Sequence, residues 1–208
     1  MGRNSGGNIP NAQGGLKEND SNFKGVIGKL ESLNTIQNRA VYKAVTSAIS
    51  RFHSVLGVRE RNVKLAIMYS GYGGVHLSQG GKSQVVVLNK SIFNRRGTTT
   101  QSVAAWVKAG YNSGHLTQTN KPVAHIVTHE LAHATWNKDL SGANQRAAGK
   151  EINKLYNKWK NDRRKTGYGK YARSNVDEFW AETITKAVHD KADKYTIAVK
   201  AIAKKYKL

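Results

Sequence analysis

At 208 residues, with 34 Lys+Arg against 13 Asp+Glu and a formal net charge of +21, the chain is long enough for one self-sufficient core and is strongly cationic. It contains no cysteine, which excludes a disulfide framework and any thiolate metal site, so a bound metal must be held by His, Asp or Glu. No apolar run approaches the ~20 residues that cross a bilayer, and the positive excess favours nucleic acid, anionic surfaces or acidic proteins as partners.

Residues 1–22 are rich in Gly and Asn with little apolar content, and this composition predicts a flexible basic arm ahead of a single domain over 23–208. The arm lacks the apolar core of a secretory signal, and Gly6 stands where a myristoylation signal wants Ser or Thr, so an unsecreted protein is expected. Leu33, Ile36, Val41, Val45, Ile49, Phe52 and Leu56 recur at helical spacing, predicting an amphipathic helix over 33–56 that Gly57 ends. Residues 63–69 and 84–89 are apolar and β-branched, with a further candidate strand at 75–77. The glycine-rich stretches at 70–74 and 79–82 between them read as turns, giving an antiparallel sheet of about three strands. Gly71, Gly73 and Gly74 do not form a phosphate loop, because no Lys-Ser/Thr pair follows at the required spacing.

A modest helix is expected over 99–109 through Val103, Trp106 and Val107. Pro122 opens another that runs to about residue 137, proline being well placed at a first helical position. Ser141 is predicted to cap a helix carrying Ala148, Ile152, Leu155 and Trp159. Asn175 is predicted to cap one through Phe179 and Ile184, and a last helix covers 192–206. The order (helix, small mainly antiparallel sheet, helical C-terminal half) places the chain in the α+β class. The densest charge lies in the helical half, where Lys154, Lys158, Lys160, Arg163, Arg164, Lys165, Lys170 and Arg173 face a single acid, Asp162.

Chemistry concentrates in His129-Glu130-Leu131-Ala132-His133. Side chains four apart share one helical face, so both imidazoles can reach one metal ion, and Glu130 beside them is placed to take a proton from an activated water. Ile126, Val127, Leu131 and Ala132 supply apolar faces to bury the helix. Two histidines leave zinc short of a ligand. Glu178 and Glu182, again four apart, form the better candidate pair: one to bind metal and one to hold a ligand histidine. Asp139 is the alternative, although the glycine turn that normally accompanies a ligand there is missing. His125 lies one turn before His129 and reads as a hydrogen-bonded histidine near the site.

These residues, followed by Tyr171-Ala172-Arg173-Ser174-Asn175-Val176-Asp177-Glu178-Phe179-Trp180-Ala181-Glu182, resemble the catalytic domain of anthrax lethal factor and its gluzincin relatives, a group with members in phage and prophage proteins. The likeness spans about residues 120–190 and departs at Trp180, where Phe is common. The resemblance implies a zincin-like fold and a zinc-dependent endopeptidase acting on a protein or peptide, with one Zn2+ per chain held by His129, His133 and Glu178. It further implies Glu130 as general base, Tyr171 as phenol donor to the oxyanion, and Glu182 behind the ligands; nothing in the pattern requires His125, which stays a hydrogen-bonded neighbour of the site. Together with the lack of a secretory signal, the same likeness implies a cytoplasmic or virion-associated location, in a bacterial or phage-infected cell. A competing expectation, motivated by charge alone, is a nucleic-acid-associated protein whose peptidase fold is inactive or regulated by DNA. A peptidase recruited to DNA, as in SprT-like repair proteases, would combine the two, but no downstream His-Gly segment supports it. An extended substrate would need an edge strand, and residues 63–89 are the evident source.

Overall fold

The structure is a computed structural model, and it describes residues 16–17, 21–58, 62–68, 73–163 and 167–208. The described residues open with strand β1 (Leu16–Lys17), helix α1 (Ser21–Ile27) and strand β2 (Glu31–Ser32), followed by the long helix α2 (Arg39–Leu56). Strands β3 (Val63–Ala66), β4 (Gly74–Gln79) and β5 (Lys82–Asn89) come next, then a single helical turn α3 (Lys90–Phe93) and helix α4 (Thr100–Asn112). The C-terminal half is helical: α5 (Pro122–Thr135), α6 (Ala143–Asn161), α7 (Val176–His189) and α8 (Lys194–Tyr206). The α+β class is borne out. Among the described residues no helix is long and apolar enough to cross a membrane.

The sheet is mixed where a mainly antiparallel one was expected. Its strand order is β1-β4-β5-β3-β2, with β4–β5 and β2–β3 antiparallel but β3–β5 and β1–β4 parallel. Gly80 and Gly81, at φ +55° and +73°, make the two-residue turn that pairs Gln79 with Lys82. The hairpin then docks through β5 onto β3. Val85, Val86, Val87 and Leu88 are all buried, a continuous apolar run suited to a central strand covered on both faces. Val86 and Leu88 join the main core with α2, α4, α5 and α7, whereas Val85 and Val87 meet Val75, Leu77, Ala66 and Val26 on the opposite face. Most of the arm expected at 1–22 lies outside the described residues. The exceptions are Leu16–Lys17, paired in register with Leu77–Ser78, and the first turn of α1. Composition misses such pairing because it is made by backbone groups.

Helix ends show where periodicity misleads. The helix expected from residue 33 begins at Arg39, because Leu33–Thr35 is a separate 3-10 turn and the Asn38 side chain accepts from the amides of Ala40 (3.0 Å) and Val41 (3.1 Å). Ile36 is buried nonetheless, from outside the helix. Ser141 does not cap α6. Gly142 holds that position at φ 120°, while the Ser141 amide donates to the Gly81 carbonyl at 2.9 Å and ties the helical half to the hairpin. Asn175 does cap α7, accepting from the Glu178 amide at 2.9 Å. The strand expected to reach residue 69 ends at Ala66, and residues 69–72, like Arg164 and Lys165 of the basic cluster, lie outside the described residues.

Candidate metal centre

Helix α5 is the hub of the molecule, packed on α2, α4, α7 and the inner strands. Nearly all of its last three turns are buried, which follows from Ile126, Val127, Leu131, Ala132 and Ala134 serving several neighbours at once. His125, His129 and His133 form one stripe of this helix and face α7. Ala132 and Ala181, both fully buried, are small enough to let the helices close. The Trp180 indole then clasps them by donating to the Ala132 carbonyl (3.1 Å) and the Thr135 hydroxyl (3.2 Å). Beyond the end of α5, the Lys138 amide donates to buried Asp177 at 2.8 Å.

This clasp brings three donor atoms into a triangle. His129 Nε2 lies 3.1 Å from His133 Nε2 and 3.1 Å from Glu178 Oε2, and His133 Nε2 lies 3.4 Å from the same oxygen. Ligands 2.0–2.1 Å from a tetrahedral ion stand about 3.3 Å apart, so the three sides have the size of one face of such a coordination shell. All three residues are buried, and the group can hold a metal ion. The chemistry of the donor set, two imidazoles and one carboxylate, fits that use. Asp139 belongs to neither metal-capable group among the described residues.

Glu182, one turn after Glu178, sits behind the triangle. Its Oε1 is 3.0 Å from His129 Nδ1 and 3.2 Å from His125 Nε2, and its Oε2 accepts from the Thr117 amide at 2.5 Å. A second group of donors (His125, His129 and Glu182) is therefore also close enough for a metal. Its spacings are equally those of hydrogen bonds from two imidazoles to one carboxylate, and that use leaves His129 Nε2 free to face the triangle. An ionised carboxylate only accepts, so His125 donates through Nε2 and its Nδ1 meets the Tyr111 hydroxyl at 3.2 Å, which in turn meets Thr119 at 2.9 Å.

Burial would depress the His129 imidazole, but the Glu178 and Glu182 carboxylates reverse this and hold it well above its ordinary value. Against the opposing effect of burial, the neighbouring imidazoles bring Glu178 down to about 2 and hold Glu182 below the usual carboxylate range. Glu130 meets β4 at Gly74 and is half-buried. Burial raises its carboxyl despite the two imidazoles and a hydrogen bond from the His76 main chain. Tyr171 stacks on His129 with ring centroids 5.8 Å apart. Burial, then the Glu178 and Glu130 charges, push its phenol far up and keep it protonated.

Two further histidines frame the site and carried no sequence motif. His76 of β4 stacks on His133 at 5.7 Å and meets the Asn137 amide at 3.1 Å, while burial and the His133 charge bring it down to about 3. Asn137 also donates to the His133 carbonyl at 2.9 Å. His115 stacks on the outer face of Tyr171 at 4.6 Å. The loop holding Tyr171 is fixed by its amide donating to the His115 carbonyl (2.8 Å) and the Lys170 amide to the Gly114 carbonyl (2.8 Å). Gly169 permits the approach, since a Cβ there would collide with His115 and Leu116 backbone. The one available signal for His76 was the Gly73-Gly74 pair before it, because glycine entering a strand marks close backbone approach. Comparison of the chain with protein-family models, curated proteins and solved structures gives no match.

Proposed function

We propose that this chain is a zinc-dependent peptidase of the gluzincin type with a zincin-like arrangement of sheet and active-site helix. The observation that carries the reading is the His129–His133–Glu178 triangle, with sides of 3.1, 3.1 and 3.4 Å, flanked by half-buried Glu130 and by Tyr171. These three residues would hold the ion. Zinc there supplies Lewis acidity, bringing the ionisation of water near pH 7 and polarising a carbonyl.

The remaining roles belong to the side chains. Glu130, with its carboxyl raised by burial, takes the proton of the attacking water and returns it to the departing amine. Tyr171, kept protonated, donates its hydroxyl to the developing oxyanion. Glu182 orients His129 from behind. β4 offers main-chain groups at Gly74–His76 beside Glu130, and among the described residues β1 pairs with this strand only at Leu77 and Ser78. An extended peptide aligned there would bring its scissile bond to Glu130.

Elemental mass spectrometry of the purified protein beside His133→Ala and Glu178→Ala tests the ligand set. We expect zinc in the wild type and its loss in both variants. A metal-free wild type that stays so after reconstitution overturns the reading. Glu130→Gln should keep the metal yet lower hydrolysis of quenched fluorescent peptides by about 10²–10⁴-fold.

A further inference from the structure

Outside the metal centre, the most unusual surface of the molecule is the outer face of α6. Arg146, Lys150, Lys154 and Lys158 follow one another at intervals of four, and all four are exposed. Each step of four residues turns about 40° round the helix, so they form a gently winding ridge with a cation about every 6 Å along the axis. Like charges at this spacing repel and weaken the helix that carries them. None of the four has an ion pair among the described residues.

The acids that might have neutralised the ridge are engaged elsewhere. Glu151 accepts from Lys205 at 2.5 Å and from the Tyr206 hydroxyl at 2.6 Å, both from α8. Asp162 pairs with Lys194 at 2.5 Å and accepts from the Tyr195 hydroxyl at 2.7 Å. The opposite face of α6 is firmly seated through Ala148, Ile152, Tyr156 and Trp159, so the cations are displayed on a rigid support.

We propose that this ridge binds the phosphate backbone of duplex DNA. Regular cations, joined by exposed Asn157 and Asn161, match a row of phosphates, which attract Lys and Arg and accept from amides. A membrane surface fits less well, because α6 exposes no apolar side chain larger than Ala143 to enter the lipid boundary. Single strands fit less well too. Their binding relies on aromatic platforms, and the aromatics of α6, Tyr156 and Trp159, are buried. With the rest of α6 packed against α7 and α8, only the ridge reaches the duplex, so contacts are to backbone and affinity is insensitive to sequence.

The test is fluorescence anisotropy of a short labelled DNA duplex of mixed sequence, titrated with the full-length protein over a range of salt. The ridge variant carries Arg146→Gln, Lys150→Gln, Lys154→Gln and Lys158→Gln, replacements that retain helix propensity. A control variant of equal charge carries Lys24→Gln, Lys29→Gln, Lys43→Gln and Lys108→Gln, all exposed and all outside α6. We expect the ridge variant to bind more weakly, with the slope of log affinity against log salt flattened by about 4, while the control keeps most of its slope. Circular dichroism verifies that both variants are folded. Equal losses in the two variants overturn the proposal, since net charge alone would then account for binding. It is also overturned if ridge-dependent binding is seen with phosphatidylserine vesicles or polyglutamate and not with the duplex.

Discussion

Glu182 shows how much one buried carboxylate is asked to do. One oxygen serves His129 and His125 together, and the other receives the Thr117 main chain. Removing it would leave two buried imidazoles and an amide without their acceptor and free the His129 ring to turn. We expect Glu182→Gln to weaken zinc affinity by about 10–100-fold, measured by competition with a chromophoric chelator. Tyr111→Phe, at the far end of the same chain, should have a smaller effect. If Glu182→Gln binds zinc as tightly as the wild type, the carboxylate does not orient His129. That His129, His133 and Glu178 come together could be read from the sequence because two i, i+4 pairs on amphipathic helices carry their geometry with them. The stacking of His76 and His115 could not, since it depends on which strand and which loop arrive opposite.

At the scale of elements, the approach of β4 to α5 decides whether Glu130 is well placed. A Cβ on Gly74 would stand 2.5 Å from Glu130 Cγ and 3.1 Å from the Val87 carbonyl oxygen. Gly74→Ala should therefore lower the urea midpoint by an amount corresponding to about 1–3 kcal/mol. It should reduce peptide hydrolysis while zinc content holds, because the His129 and His133 nitrogens that would hold the ion meet Glu178 of α7 rather than β4. Gly25→Ala, inside α1 with nothing within 4 Å, is the control: it should leave hydrolysis unchanged and should not lower the urea midpoint, because alanine favours the helix. The helices α4, α5, α6, α7 and α8 were legible from spacing and caps to within a few residues, as was the end of α2. Strand order was not, because the run Val85–Leu88 states that it is buried on both faces without naming its neighbours. The 33–56 periodicity overran the true helix because Leu33 and Ile36 pack on the core from a 3-10 turn and a cap, which periodicity alone does not distinguish from helix.

Across the whole molecule, charge is sorted by depth. Asp177, Glu178 and Glu182 are buried, while among the described residues no Lys or Arg is buried, and the exposed cations are most regular on α6. The balance itself was plain in the composition, but its arrangement required the fold. A divalent cation approaching from solution meets a repulsive field before it reaches the acidic interior, and mobile ions shorten the reach of that field to about 10 Å at 0.1 M salt. Stopped-flow mixing of apo-protein with zinc should accordingly show uptake that accelerates as salt is added, the reverse of the usual behaviour of an acidic site. A polyanion lying along α6 would relieve the same barrier. Loading of the centre and occupancy of the surface would thus be linked through kinetics, with no change of shape needed to connect them.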